Sequence, residues 1–315
     1  MEGRPVIAFV YAGQGSQKVG MGQDFYQTYP EFREVFDRAP LDFDLKELCF
    51  QGPEDQLSQT RYTQPCLLAF AIGVTHLLRK ENIWPQAAAG LSLGEYSALY
   101  AAGVFSQEDA IQTVALRGRT MEEAAAGLDC GMTAVLGLER YKLQEACQQA
   151  SALGVVQICN YNCPGQLVIS GEKPAVDKAG ELARGLGAKA CKPLKVSGPF
   201  HTSLMAPAGE ALREHFQRVV FHPMELPVYF NCLGDVKKPE DSIPALLERQ
   251  VQSSVYWEDT IRSMDRDGVD QVVEIGPGKT LSALFKKTAP GIQTYHIDTV
   301  QDFEHVVSAL KGGSL

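Results

Sequence analysis

Between a small apolar run, Ala87-Ala88-Ala89, and a helix-forming run, Glu95-Tyr96-Ser97-Ala98-Leu99, the chain carries Gly90-Leu91-Ser92-Leu93-Gly94. A serine held on a sharp strand-to-helix turn needs glycine on both sides, because a Cβ at Gly90 or Gly94 would clash where the backbone doubles back. The pattern predicts a nucleophile elbow: a buried strand, a turn that pushes Ser92 out of the sheet, and a helix behind it. The Leu93 N–H then lies beside the place where negative charge develops on an attacked carbonyl. A loop can contain Gly-x-Ser-x-Gly by chance, so the weight of the reading rests on what surrounds the pentapeptide.

The surroundings suit an enzyme. At 315 residues and 45% hydrophobic content, the chain is long enough for a substantial core and two structural units, taking about 150 residues per domain. No apolar run approaches the roughly 20 residues that cross a bilayer. The start, Met1-Glu2-Gly3-Arg4-Pro5, lacks a signal-peptide core, so the expected location is the cytoplasm, with no membrane partner. Eight cysteines at 49, 66, 130, 147, 159, 163, 191 and 232 show neither Cys-x-x-Cys pairs nor Cys/His clusters. They read as reduced structural thiols, and no metal site is expected. A net charge of −9 argues against nucleic acid as a partner. An acidic partner would need a local basic patch, for which Arg184, Lys189, Lys192 and Lys195, or Lys279, Lys286 and Lys287, are candidates; solvated helix faces explain the same residues.

Along the chain, Val6–Tyr11 is continuously apolar and stops at Gly13-Gln14-Gly15, as a strand buried on both faces of a parallel sheet would. A helix is predicted from an N-cap at Thr63 to Leu78, with Pro65 near its start, another from the serine turn to about Gly103, and another over Gln107–Ala125. From Met132 the pattern reads strand to Leu138, helix Tyr141–Ala152, strand Val155–Asn160, strand Gln166–Ser170, helix Lys173–Leu186 and strand Lys189–Val196. The order β-α-β-β-α-β is the ferredoxin-like arrangement. The expectation is therefore an α/β protein in which residues 127–196 are inserted between 1–126 and 197–315. Farther on, a helix to about Val219, a strand near Val228–Asn231 and a helix at Ile243–Val251 precede the strand Gln271–Ile275. Gly276-Pro277-Gly278-Lys279 resembles a phosphate loop superficially, but lacks the full spacing and reads as a structural turn.

Ser92 needs a base, since a free hydroxyl is a poor nucleophile near neutral pH. Of His76, His201, His215, His222, His296 and His305, only His201 sits on a Gly-Pro loop, Gly198-Pro199-Phe200-His201, just before a helix. Such a histidine can be aimed at a distant serine; a helix-capping or surface histidine fits the same spacing. Arg117 in its helix would ordinarily face solvent or pair with Glu122 or Glu123. Pointed at the serine, its planar fork would hold a carboxylate by two parallel hydrogen bonds. The Gln14 N–H, in a glycine-rich turn, is placed to complete an oxyanion hole with Leu93. Gln250, late in a helix, would ordinarily be a polar surface residue.

Six motifs stand in order: Gly13-Gln14-Gly15-Ser16-Gln17, Gly90-Leu91-Ser92-Leu93-Gly94-Glu95, Leu116-Arg117-Gly118, Asn160-Tyr161-Asn162-Cys163-Pro164-Gly165-Gln166, Gly198-Pro199-Phe200-His201-Thr202 and Glu274-Ile275-Gly276-Pro277-Gly278. Over essentially the whole chain this resembles the malonyl-CoA:acyl carrier protein transacylases. The resemblance implies an α/β-hydrolase-like larger subdomain with an inserted ferredoxin-like one. It implies that Ser92 is acylated, that His201 is the general acid/base, and that Arg117 binds the free malonyl carboxylate. It further implies that Gln14 and Leu93 amides form the oxyanion hole, that the Gln250 carbonyl orients His201, and that a loop with Asn160, Asn162 and Gln166 lines the pocket. Leu91 departs from the family, which usually has histidine there, and this bears on the pocket wall. Phe200 resembles the malonyl-selective pattern, although one methyl group discriminates by only about 1–3 kcal/mol.

The implied reaction is ping-pong transfer of malonyl from malonyl-CoA to the phosphopantetheine thiol of acyl carrier protein, supplying fatty acid biosynthesis. No cofactor is implied, since the CoA thioester is substrate and phosphopantetheine belongs to the partner; a monomer is expected. The competing readings are a discrete acyltransferase of a polyketide synthase, an acyl-thioester hydrolase, and a non-catalytic carrier-binding module. An acidic carrier would dock electrostatically, with Lys189, Lys192 and Lys195 as candidate contacts.

Overall fold

The computed structural model describes residues 5–195 and 198–312. Ten strands are assigned among them: β1 (Ile7–Tyr11), β2 (Ala87–Gly90), β3 (Cys130–Leu136), β4 (Val156–Cys163), β5 (Gln166–Glu172), β6 (Ala190–Leu194), β7 (Val228–Phe230), β8 (Asp235–Val236), β9 (Gln271–Ile275) and β10 (Gln293–Ile297). The chain divides into two compact units, each assembled from separated stretches.

The first unit comprises residues 1–118, 219–229 and 263–315. Its parallel sheet has the order β10-β9-β1-β2-β7. The apolar β1 lies inside it, paired to β9 through Ala8↔Val272 and to β2 through Ala8↔Ala87, and Ala8 to Tyr11 are buried. That accounts for a run with no polar alternation. Tyr11 stands opposite Gly90, so the Gly13-Gln14-Gly15 turn and the serine turn leave neighbouring strands at the same carboxyl edge, where open α/β sheets place their ligands.

The helix read as Thr63–Leu78 runs Thr60–Lys80, with Gln59 as its N-cap. Thr63 is no cap, because its hydroxyl donates to the Leu57 carbonyl at 2.5 Å. Four short helices between Gln23 and Leu57 were missed in the sequence. Phe32, Val35 and Phe36 in one and Leu45, Leu48 and Cys49 in another are buried at helical spacing, and aromatic rings join them to the core: Phe25 stacks on Phe32 at 5.2 Å and meets Phe70 edge-on at 5.7 Å.

The second unit comprises residues 119–218 and 230–262. Its antiparallel sheet has the order β4-β5-β3-β6, and helices Arg140–Ala150 and Lys173–Gly185 supply Leu143, Ala146, Val176 and Ala179 to a core with Val135, Ile158, Leu167 and Ile169. This is the expected β-α-β-β-α-β arrangement. The compact unit is larger than the segment 127–196, because later chain is pinned to β4: the Tyr161 N–H donates to Val255 O at 2.9 Å and Ser254 Oγ donates to Ile158 O at 2.7 Å. Arg140 also bonds Glu258 and Asp259, each at 2.9 Å. Val196 and Ser197, where the expected insertion ends, lie outside the described residues. The short β8 belongs to residues of this unit.

Candidate active site

The serine turn is as tight as its glycines require. A Cβ on Gly90 would stand 1.9 Å from the Gly94 carbonyl carbon, and one on Gly94 would stand 2.3 Å from Tyr11 O. The turn after β1 presses equally close, since a Cβ on Gly13 would lie 2.5 Å from Leu91 O. Between these contacts Ser92 adopts φ 54°, the left-handed region that a non-glycine residue enters at a cost of about 1–3 kcal/mol and keeps only where its surroundings enforce it. Leu93 caps the helix Gly94–Ala101, and its N–H belongs to the helix end where the macrodipole favours negative charge.

Arg117 does not face solvent. It is fully buried, donating from Nη1 to Gln64 Oε1 at 2.7 Å and from Nη2 to Ser92 Oγ at 3.1 Å. Its guanidinium lies 5.3 Å from the Tyr96 ring centroid, over the ring. Burial draws its pKa below the usual arginine value, while Tyr96 and the buried Glu95 favour the charged form; the group stays a cation. Gln14 enters the same network, with Nε2 donating to Thr60 Oγ1 at 3.1 Å and Oε1 accepting from Gln64 Nε2 at 3.4 Å.

Gln64, Thr60, Glu95 and Tyr96 were missed by the sequence reading. One signal was available: a glycine directly after Arg117, inside a helix, marks a close crossing. A Cβ on Gly118 would stand 2.7 Å from Thr60 O, so the two helices meet at backbone distance there and bring Gln64 to Arg117.

In the second unit His201 is buried and has φ 58°. With Ser92 and Asn82 it makes up the non-glycine residues of positive φ among those described. Its Nδ1 lies 3.0 Å from the Gln250 carbonyl oxygen. A carbonyl only accepts, so Nδ1 carries the proton, and in the neutral ring Nε2 is left as the base. Gln250 is fully buried, not a surface residue, which fixes that carbonyl. Thr202 Oγ1 donates to Pro199 O at 2.6 Å and braces the loop. The structure thus brings together Ser92, Leu93, Gln14 and Arg117 in one unit, and His201 and Gln250 in the other.

The matched family model is the acyl transferase domain, over residues 8–305. A malonyl CoA-acyl carrier protein transacylase of Bacillus subtilis is 40% identical over 308 residues, covering 97% of both chains. The MCAT crystal structure of Streptococcus pneumoniae is 46% identical with TM-score 0.92, covering 96% of this chain and 99% of its own. A malonyl-transacylase solved in complex with a type II PKS acyl-carrier protein is 35% identical with TM-score 0.93, covering 98% and 100%. The chain belongs to the malonyl CoA-acyl carrier protein transacylase family.

Within this transacylase frame the remaining candidates fall as follows. Asn160 and Gln166 lie on strands β4 and β5 as read, and Asn162 lies on β4 as well, so the connection between them shrinks from a loop to the turn Pro164-Gly165. The strand read as Val155–Asn160 continues to Cys163 because Tyr161 and Cys163 keep alternate burial beyond the two asparagines. Asn162 Oδ1 is buried without a hydrogen-bond partner among the described residues, and Gln166 Oε1 faces Cys163 Sγ at 3.7 Å. Phe200 is buried against Gly198, where a Cβ would meet its ring at 2.8 Å. Leu91 is half-buried and its carbonyl accepts from Gly94 N at 2.9 Å. The cysteines, all eight described, are free thiols. Among the described residues no helix is long and apolar enough to cross a membrane. Lys189, Lys192 and Lys195 are exposed, with Lys192 on the edge strand β6.

The Gly276-Pro277-Gly278-Lys279 turn is structural, as its spacing suggested. Glu274, buried at the end of β9, accepts from Leu281 N at 2.9 Å and Ser282 N at 2.7 Å, so a carboxylate already occupies the N-terminus of helix Thr280–Thr288.

Proposed function

We propose that this protein moves a malonyl group from malonyl-CoA to the phosphopantetheine thiol of an acyl carrier protein, feeding fatty acid or polyketide synthesis. The observation that carries this reading is Arg117: a fully buried cation one hydrogen bond from a serine on a strained turn. Gln64, Tyr96 and the buried Glu95 hold that guanidinium charged and aimed at the serine. A small acyl group with a free carboxylate at its far end meets both residues at once.

In the first half-reaction Ser92 Oγ attacks the thioester carbonyl while His201 Nε2 takes the hydroxyl proton. The negative charge passes to the carbonyl oxygen, where the Leu93 and Gln14 N–H groups receive it. Collapse breaks the C–S bond, and His201 returns the proton to the departing CoA thiolate. In the second half-reaction the carrier thiol gives its proton to His201 and attacks the malonyl ester; the Ser92 oxygen leaves and is reprotonated. Holding Nδ1–H on the Gln250 carbonyl keeps one tautomer through both halves, a task that a carboxylate performs in Ser-His-Asp triads. Arg117 fixes the malonyl tail, so that the ester carbonyl is presented in one orientation. Asn162 Oδ1 is an acceptor available to an amide N–H of the pantetheine arm, and Phe200 and Leu91 are assigned to the acyl pocket's wall.

The chemistry calls for no prosthetic group or metal on the enzyme. The eight free thiols accord with a reducing compartment such as the cytoplasm. The reading is tested by incubating the protein with malonyl-, methylmalonyl- and acetyl-CoA, with and without carrier, and following both the enzyme's mass and the release of free acid. Malonyl loading that discharges onto carrier supports transfer; quantitative release of malonate in the presence of carrier would make it a hydrolase.

A further inference from the structure

The outer edge of the parallel sheet holds a cavity of about 270 Å³ that the acyl chemistry leaves unused. Its wall comprises Lys279, Ser282 and Lys286 on one side, His296 on the outermost strand β10, and Asp302 and His305 from helix Val300–Leu310. Ser282 and Lys286, four apart, share one face of helix Thr280–Thr288, and Lys279 is its N-cap residue. In a chain of net charge −9, four of the five ionisable side chains just named are basic.

The single carboxylate among them divides its oxygens between the backbone and Oγ1 of the Asp298-Thr299 turn and the His296 imidazole. Asp302 Oδ2 accepts from Thr299 N at 3.0 Å, Thr299 Oγ1 at 2.9 Å and Asp298 N at 3.2 Å, while Oδ1 lies 3.6 Å from His296 Nε2. Neither Lys279 nor Lys286 makes an ion pair among the described residues, although exposed lysines elsewhere do, such as Lys18 with Asp298 at 2.7 Å. The helix N-terminus is not the attraction here, because Glu274 fills it.

We propose that this cavity binds a phosphate group, either as the free anion or as the phosphomonoester end of a larger ligand. Two ammonium groups and two imidazoles line the one cavity, ammonium supplying charge and imidazole N–H donors, and lysine serves as a point charge toward phosphate oxygens. The volume, against about 30 Å³ for one water, leaves room for the organic part of an ester.

The test follows the imidazole proton resonances of His296 and His305, assigned by His296→Gln and His305→Gln, at fixed pH and ionic strength. Inorganic phosphate and adenosine 3′,5′-bisphosphate are titrated separately into the full-length protein and into the Lys279→Gln/Lys286→Gln variant. Saturable shifts of both histidines are expected with at least one ligand, weakened about tenfold or more in the double variant, as loss of about 1.4 kcal/mol of attraction would produce. Response to the bisphosphate alone would identify the ester as the ligand, and response to both the phosphate group itself. Absence of a saturable shift with either ligand, or equal affinity in the double variant, overturns the proposal. No acyl substrate enters the experiment, so its failure would leave the Ser92 chemistry standing.

Discussion

Arg117 Nη2 donates to Ser92 Oγ across 3.1 Å, from a guanidinium that has no exposure to solvent. Malonyl binding would exchange the serine hydroxyl for a carboxylate at that donor, at a cation already held by Gln64 Oε1. Arg117→Ala is therefore expected to lower kcat/KM for malonyl transfer by about 10²-fold, the loss of a charged hydrogen-bond pair worth about 1.5–3 kcal/mol. Transfer of an uncharged acetyl group should fall far less. Parallel kinetics on malonyl- and acetyl-CoA check this, and equal losses for the two would remove the carboxylate role.

The serine turn makes a sharper demand on sequence than any other segment. Gly90→Ala drives a Cβ to 1.9 Å from the Gly94 backbone. Backbone cannot yield there without dissolving the turn, so a loss of about 4 kcal/mol or more is expected. Gly180→Ala is the control: it lies inside helix Lys173–Gly185, and its Cβ would meet nothing within 4 Å. It should gain about 0.5–1 kcal/mol from helix propensity. Thermal or urea unfolding of both variants reads the contrast.

How much of this was legible depended on whether chemistry and backbone left their marks on neighbouring residues. The elbow was, because Gly90 and Gly94 are forced by sterics next to the serine they serve; so were β1 and β9, as short apolar runs ending at glycine turns, and the helix Gln107–Ala125. The Gln64–Arg117 contact was hidden, since it depends on a helix crossing 53 residues apart in sequence. Burial of Gln250 was likewise set by a partner remote in the chain, the His201 loop, whereas β4 runs on to Cys163 by pairing with the neighbouring β5. The Gln23–Leu57 helices escaped because each spans about two turns or fewer, although Phe32, Val35 and Phe36 keep helical spacing.

His76 supplies a pH signature. It is half-buried on helix Thr60–Lys80, with Nε2 2.5 Å from Tyr100 OH, and burial first, then Arg79, lowers its pKa from 6.5. The unfolded chain then binds a proton that the folded chain resists. Stability is accordingly greatest above the unfolded value and declines as pH falls through the window beneath it. His76→Gln should flatten the urea midpoint between about pH 7 and pH 5. An unchanged slope would contradict the assignment.

Lys189, Lys192 and Lys195, exposed on and beside β6, are candidate carrier contacts. Lys192→Glu combined with Lys195→Glu should raise the KM for an acidic carrier about tenfold at low salt, with little effect on malonyl loading from CoA, and the difference should shrink as salt screens it. Steady-state kinetics at two ionic strengths decide; unchanged carrier KM at low salt would place docking elsewhere.

The central claim, a malonyl ester on Ser92, is read most directly by intact-protein mass spectrometry after brief exposure to malonyl-CoA without carrier. The wild-type chain should gain the mass of one malonyl group and lose it when carrier is added, while Ser92→Ala gains nothing. Undiminished labelling of Ser92→Ala would contradict the account.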